Sequence, residues 1–151
     1  MIQQSLLLIK PNAVRHGHIG HIISLIEKGG YHLVSLKLFR FDTDLATQFY
    51  AEHVGKSFFA KLVDFMLSDD TVAIVVEKEN AIQDLRDLIG AVEPEKRKPG
   101  TIRFLFGEGV TENGVHASDS EDSAKREIGV IFYTQRNDNE NDVFATDNEN
   151  T

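Results

Sequence analysis

The chain has 151 residues, 41% hydrophobic and 26% charged, with a net charge of −8, six histidines and no cysteine. Such a length fits one domain able to bury roughly two-thirds of its unfolded surface. Zero cysteines exclude disulfides and thiolate metal sites, no apolar run approaches the ~20 residues of a membrane span, and the acidic balance argues against general nucleic-acid binding.

In chain order, "SLLLIK" (5–10) is a continuous apolar run closed by Pro11, the pattern of a central strand buried on both faces. No basic segment precedes it and no small-residue cleavage site follows, so a secretory signal is not expected and the cytoplasm is the expected location. Ile19, Ile22, Ile23 and Ile26 recur at helical spacing, and Gly29-Gly30 ends that helix. Residues 32–41 alternate Val34, Leu36 and Leu38 with more polar neighbours, which predicts a strand. Asp44 is a candidate cap for a short helix through Tyr50. Phe58, Phe59, Leu62, Val63 and Met66 mark the next helical face. "TVAIVVE" (71–77) reads as a third strand, and Ile82, Leu85 and Ile89 as a helix ending at Gly90. Residues 91–117 carry two prolines and four glycines and are expected to be irregular. Long segments of this kind are usually functional or disordered, and the apolar residues here disfavour disorder. A short helix then precedes a fourth strand, "IGVIFY" (128–133).

This order predicts an α+β ferredoxin-like sandwich, a four-stranded antiparallel sheet with helices covering one face. Residues 1–136 form the expected domain. Residues 137–151 hold five acids and no base, leaving −3 on the remainder. They read as a disordered tail, or as one that docks Val143 and Phe144 on a neighbouring subunit.

Familiar nucleotide motifs are missing. There is no P-loop, and "GEGVTENG" (107–114) has Glu112 where G-x-G-x-x-G needs its third glycine. "HGHIGH" (16–21) offers three histidines without a nearby carboxylate in sequence, so solvated turn residues are favoured over a metal site. His116 lies just before a helix start, because Ser118-x-x-Glu121 has capping-box spacing. Glu127 is placed near the end of that helix. A carboxylate returning to an imidazole is what a nucleophilic histidine needs, since one ring nitrogen must be held for the other to present its lone pair. Taken alone, His116 reads more readily as a loop histidine facing water than as a catalytic group.

The segments "IKPNAV", "FYAEHVGKSFFAKLVDFM", "KPGTIR" and "NGVHASDS…REIG", in this order and spacing, resemble nucleoside diphosphate kinases from about Ser5 to Phe132. The resemblance implies transfer of the terminal phosphate from a nucleoside triphosphate to a nucleoside diphosphate, by a ping-pong route through a phosphohistidine at His116. It further implies that Glu127 holds the second ring nitrogen and that Ser118 supports Glu127. Arg86 and Arg103 match phosphate-binding arginines. Lys10 matches the active-site lysine, with Tyr50 close to it. Phe58 matches the ring on which the base stacks, bordered by Leu62 and Val110, and Asn113 matches the side chain reaching the ribose. A stacked base exposes no edge to be read, so broad base tolerance is expected. Mg²⁺ is implied as cofactor, held mainly by nucleotide phosphates and water with no direct protein ligand. A homo-oligomer, hexamer or tetramer, is implied as well.

Four departures from the family pattern stand out. Val92 replaces a phosphate-contacting threonine, Ala117 a glycine, Asn12 an aspartate, and Phe104-Leu105 a small residue followed by an acid. They leave a second reading open, a nucleotide-binding interaction or regulatory module with weak or lost transfer activity. A ferredoxin-like effector-binding domain would leave His116 and the two arginines unexplained.

Overall fold

In a computed structural model, residues 1–133 are described. The tail expected at 137–151 lies outside them. The sheet has four strands, β1 (Ile2–Ile9), β2 (His32–Phe39), β3 (Thr71–Glu79) and β4 (Val115–Ala117), in the order β2-β3-β1-β4 and antiparallel throughout. This is the ferredoxin-like topology that the sequence pattern anticipates.

The continuous apolar runs of β1 and β3 have a direct cause. Leu7 and Ile9 of β1, with Val72, Ile74 and Val76 of β3, enter one core, whereas Leu6, Leu8, Ala73 and Val75 enter another. Helices α2 (Ile19–Lys28) and α5 (Ala81–Ile89) close the first core, and α3 (Thr43–Phe49), α4 (Phe59–Met66) and α7 (Glu121–Phe132) the second. Helices therefore cover both faces of the sheet, not one. Two five-residue helices, α1 (Pro11–Arg15) and α6 (Ile102–Phe106), complete the set. The edge strand β2 leaves Val34, Leu36 and Leu38 42%, 50% and 59% exposed, so its apolar alternation faces outward.

Several local expectations are corrected. "IGVIFY" is not a strand: α7 runs unbroken through Phe132, because Ala124, Glu127, Ile131 and Phe132 fall on one buried helical face. The fourth strand is the three-residue segment around His116, inside the stretch expected to be irregular, and it pairs Leu8 with His116. A strand so short carries no period-2 signal. Glu127 consequently sits in the middle of α7. That helix is capped by Ser120, whose hydroxyl accepts from the Ser123 N–H at 3.0 Å, rather than by Ser118. Asp42, not Asp44, caps α3, accepting from the Leu45 N–H at 2.7 Å. Phe58 stands at the N-cap of α4 instead of within its buried face.

Candidate active site

His116 is the central residue of β4, and its register with Leu8 turns the side chain toward the core closed by α3 and α7. Its Nε2 lies 2.8 Å from Glu127 Oε1, and the Ser118 hydroxyl donates to the same oxygen at 2.8 Å. Ser118 is itself fixed to β1, since its N–H donates to the Leu6 carbonyl and its hydroxyl accepts from the Leu6 N–H. Glu127 Oε2 faces Arg126 at 3.9 Å, and Arg126 also donates to the Gln48 and Phe49 carbonyls at the end of α3. A carboxylate on Nε2 orients the proton there; the tautomer is inferred from this hydrogen bond.

The imidazole lines two adjoining cavities, of ≈ 450 Å³ and ≈ 210 Å³, that share Val92 and Arg103. Lys10, Tyr50, Phe58, Leu62, Val110 and Asn113 line the larger one, and Arg86 and Asp119 the smaller. The residues matched to nucleotide contacts therefore line the two cavities that His116 shares, although they lie far apart along the chain. A larger cavity of ≈ 590 Å³ lies beside α7, but it holds Glu121 and Asp122 and is a poor receptor for polyphosphate.

The cations are set deep. Lys10 is 6% exposed, and its N–H donates to the Gly114 carbonyl at 2.8 Å, which brings the end of β1 against the loop before β4. Burial, and secondarily the charge of Arg103, pushes its ammonium down to about 7 against the upward pull of Glu112. Arg103 donates to the carbonyls of Gly90 and Val115, each at 2.9 Å, and its Nε is buried without a partner. Burial and the neighbouring Arg97 and Arg86 lower it to about 10, so it stays charged near neutrality. Gly90 has φ +88°, and a Cβ there would lie 2.5 Å from Thr101 Oγ1, so only glycine ends α5 with its carbonyl aimed at Arg103.

Other polar atoms wait unpaired. Tyr50 Oη and Asn113 Oδ1 are buried without hydrogen-bond partners, while Asn113 Nδ2 donates to the Val110 carbonyl. Burial, then the charge of Glu127, pushes the Tyr50 phenol upward and keeps it protonated. Asp119 is held below the usual carboxylate range, chiefly by a hydrogen bond from Ser123.

The departures are accommodated. Ala117 lies in extended strand and pairs with Leu7, so its methyl meets no left-handed backbone. Asn12 donates to the Glu112 carbonyl at 3.1 Å, a bond that an aspartate could not make. Val92 offers an alkyl group to both cavities, and its carbonyl accepts from Arg97. Phe104 and Leu105 are about half exposed on α6.

Sequence reasoning missed Arg97, which is buried and stitches residues 91–109 by donating to the Ala91, Val92 and Gly109 carbonyls. It missed His53 as well, although the residue lies inside a quoted segment and lines the nucleotide-sized cavity. Of the "HGHIGH" histidines, His16 pairs with Glu108 at 2.7 Å, a carboxylate brought from far along the chain, while His18 and His21 pack on Phe106. Among the described residues no three His, Cys, Asp or Glu side chains converge on a metal position.

Comparison with known proteins identifies the family. The profile of the nucleoside diphosphate kinase family matches residues 3–137. The nucleoside diphosphate kinase of Actinobacillus pleuropneumoniae serotype 3 is 53% identical over 132 residues, 87% of this chain and 96% of that protein. That of Corynebacterium jeikeium is 52% identical over 133 residues, 87% and 98% of the two chains. Among solved structures, the Aquifex aeolicus nucleoside diphosphate kinase has a TM-score of 0.85 at 39% identity, covering 87% of this chain and 96% of its own. The Halobacterium salinarum enzyme in complex with CDP has 0.84 at 37%, covering 89% and 90%. With a family match across nearly the whole folded body and relatives above 50% identity, the chain belongs to the nucleoside diphosphate kinase family of phosphotransferases.

Proposed function

We propose that this enzyme moves the γ-phosphoryl group in two half-reactions through a phosphohistidine at His116. The observation that carries the reading is the 2.8 Å contact between Nε2 and Glu127, which leaves Nδ1 as the nucleophile. In the first half-reaction the Nδ1 lone pair attacks the γ-phosphorus, and the bond to the β–γ bridging oxygen breaks with its electrons on the departing diphosphate. The Nε2 proton stays in place, and Glu127 stabilises the cationic ring. In the second, a terminal oxygen of the acceptor diphosphate attacks phosphorus and the N–P bond returns its electrons to Nδ1. Charge spread over the transferring oxygens is met by placed cations, the dominant requirement of phosphoryl transfer. Lys10, Arg103 and Arg86 supply them.

The unpaired atoms fit the rest of a nucleotide. Asn113 Oδ1 is free to accept a ribose hydroxyl, and Tyr50 Oη to donate beside Lys10. Phe58, Leu62 and Val110 supply apolar surface with no polar atom to read a base edge, which supports tolerance of purines and pyrimidines in ribo and deoxy forms. A relative whose structure is in complex with CDP is consistent with pyrimidine acceptance. For Mg²⁺, the ionised Asp119 beside Arg86 and Arg103 fits an ion carried in on phosphate oxygens and water, not an all-protein cage. Bound there, the ion neutralises phosphate charge.

The exposed apolar row Val34, Leu36 and Leu38 on β2, the outermost strand of the sheet among the described residues, supports a homo-oligomer, because exposed apolar side chains on an edge strand favour a covering partner. The reading places the enzyme with its nucleotide substrates in the cytoplasm; no helix among the described residues is long and apolar enough to cross a membrane.

The decisive experiment incubates the protein with γ-labelled ATP and Mg²⁺. The expected product is an acid-labile, alkali-stable phosphoenzyme that His116→Ala abolishes. Unlabelled wild type, or a labelled His116→Ala, removes the phosphohistidine route.

A further inference from the structure

Five aromatic rings run in unbroken contact across the cavity. His116 meets Phe49 edge to face at 5.3 Å and 73°. Phe49 meets Tyr50 at 4.9 Å and 79°, Tyr50 stacks on His53 at 6.1 Å and 25°, and His53 meets Phe58 at 5.1 Å and 63°. The inner rings are packed, Phe49 and Tyr50 being 2% and 8% exposed, but Phe58 at the outer end is 46% exposed. Among the described residues His53 is the only ring in contact with Phe58; the Lys56 ammonium lies 5.9 Å from the Phe58 centroid. His53 itself is held from behind. Its N–H donates to the Tyr50 carbonyl at 2.9 Å, and its own carbonyl accepts from Lys56 at 3.0 Å, in the turn that leads to α4. The ring lines both the cavity holding Phe58 and a ≈ 130 Å³ cavity behind it.

We infer that His53 is a positioning residue for nucleotide binding: it fixes the plane of Phe58 so that the platform is formed before the base arrives. The inference rests on the reading of Phe58 as the base-stacking ring. An exposed aromatic side chain that must be immobilised on binding loses affinity to rotamer entropy, and one braced beforehand does not. Ring contacts of this geometry carry about two- to tenfold in an equilibrium constant. The ring contact with Phe58 carries the inference; Nδ1 is buried with no hydrogen-bond partner among the described residues and takes no part in holding the ring.

Single-turnover phosphorylation of the full-length protein by ATP tests this. It is measured in wild type, His53→Ala, Phe58→Ala, the double variant and His53→Phe, alongside hydrolysis of the nucleotide-free phosphoenzyme. His53→Ala is expected to weaken the apparent nucleotide affinity about two- to tenfold, with the saturating rate and phosphoenzyme hydrolysis within about twofold of wild type. The double variant should lose less than the product of the two single losses, and His53→Phe should recover most of the affinity. If Phe58→Ala weakens binding while His53→Ala does not, or the two losses multiply, the brace is wrong and the stacking reading stands. Rescue by His53→Asn in place of His53→Phe would assign the effect to a hydrogen bond and overturn the inference. Should Phe58→Ala leave affinity unchanged, the stacking reading falls and takes the brace with it.

Discussion

At the phosphate end of the cavity Lys10, Arg103 and Glu127 are each less than a tenth exposed, whereas at the base end Phe58 and Val110 are 46% and 56% exposed. The buried end is held by directional contacts. Glu127 takes a hydroxyl and an imidazole on one oxygen, and Arg103 spends two nitrogens on backbone carbonyls. The open end is lined mainly by the apolar side chains of Phe58, Leu62 and Val110. Placement of charge to within tenths of an ångström is what phosphoryl transfer demands, while an apolar face suffices for a base whose identity need not be read. On the proposed reading one cavity combines strict chemistry with loose recognition by burying one end and leaving the other exposed.

Perturbing the buried end should cost most. Glu127→Gln keeps the shape but removes the charge that, on the proposed route, stabilises the phosphorylated ring, a charge-assisted contact of about 1.5–3 kcal/mol. The rate of phosphoenzyme formation should fall about ten- to a hundredfold with nucleotide affinity little changed, as stopped-flow measurement would reveal. A loss confined to affinity would break the contrast between the two ends.

Lys10 makes the contrast sharper through protons. Free, its ammonium titrates at about 7, so it is largely neutral at about pH 8.5, and bound phosphates restore its charge. Diphosphate binding at that pH should take up nearly one proton, seen as a dependence of calorimetric heat on buffer ionisation enthalpy and lost in Lys10→Met. The same lowering makes Lys10 add to stability as pH climbs from 7 toward the ordinary lysine value. Over that window the unfolded chain holds a proton that the folded site has released. Heat that does not vary with buffer would refute the assignment.

Changing the base should matter less. Values of kcat/KM for the four ribonucleoside triphosphates are expected within about tenfold of one another, since stacking reads no edge. A wider spread would mean that Val110, Leu62 or an unrecognised polar group discriminates. The smallest change is expected from Val92→Thr, which offers a hydroxyl to both cavities at a half-exposed position. Nucleotide Kd should tighten about two- to tenfold, less than the full value of a buried charged hydrogen bond because water competes there. An unchanged or weaker Kd would mean that no phosphate oxygen comes within reach.

Strands β1 and β3 could be read directly from the chain because residues buried on two faces must be apolar at every position. The same reasoning failed at "IGVIFY", where β-branched residues imitate a strand while Ala124, Ile131 and Phe132 bury one helical stripe. It failed again at β4, whose three residues owe their extended form to pairing with Leu7, Leu8 and Ile9. The site residues were legible by resemblance, most of them, such as Lys10, Phe58, Arg103, His116 and Glu127, inside segments whose types and spacing survive. Arg97 and His53 were not, because an arginine that stitches carbonyls and a histidine that braces a ring look like surface residues until the chain is folded around them.

Composition and periodicity therefore settle what each segment must hide from water: two apolar inner strands and the amphipathic helix faces. Which polar atoms end up within hydrogen-bonding distance is a property of the closed sheet. Lys10, Arg103, His116 and Glu127 stand at the end of β1, on α6, on β4 and on α7, and burial forces those elements together. Solvent exclusion is written residue by residue, but a charge's partners and its proton affinity depend on neighbours tens of positions away, and these exist only after packing.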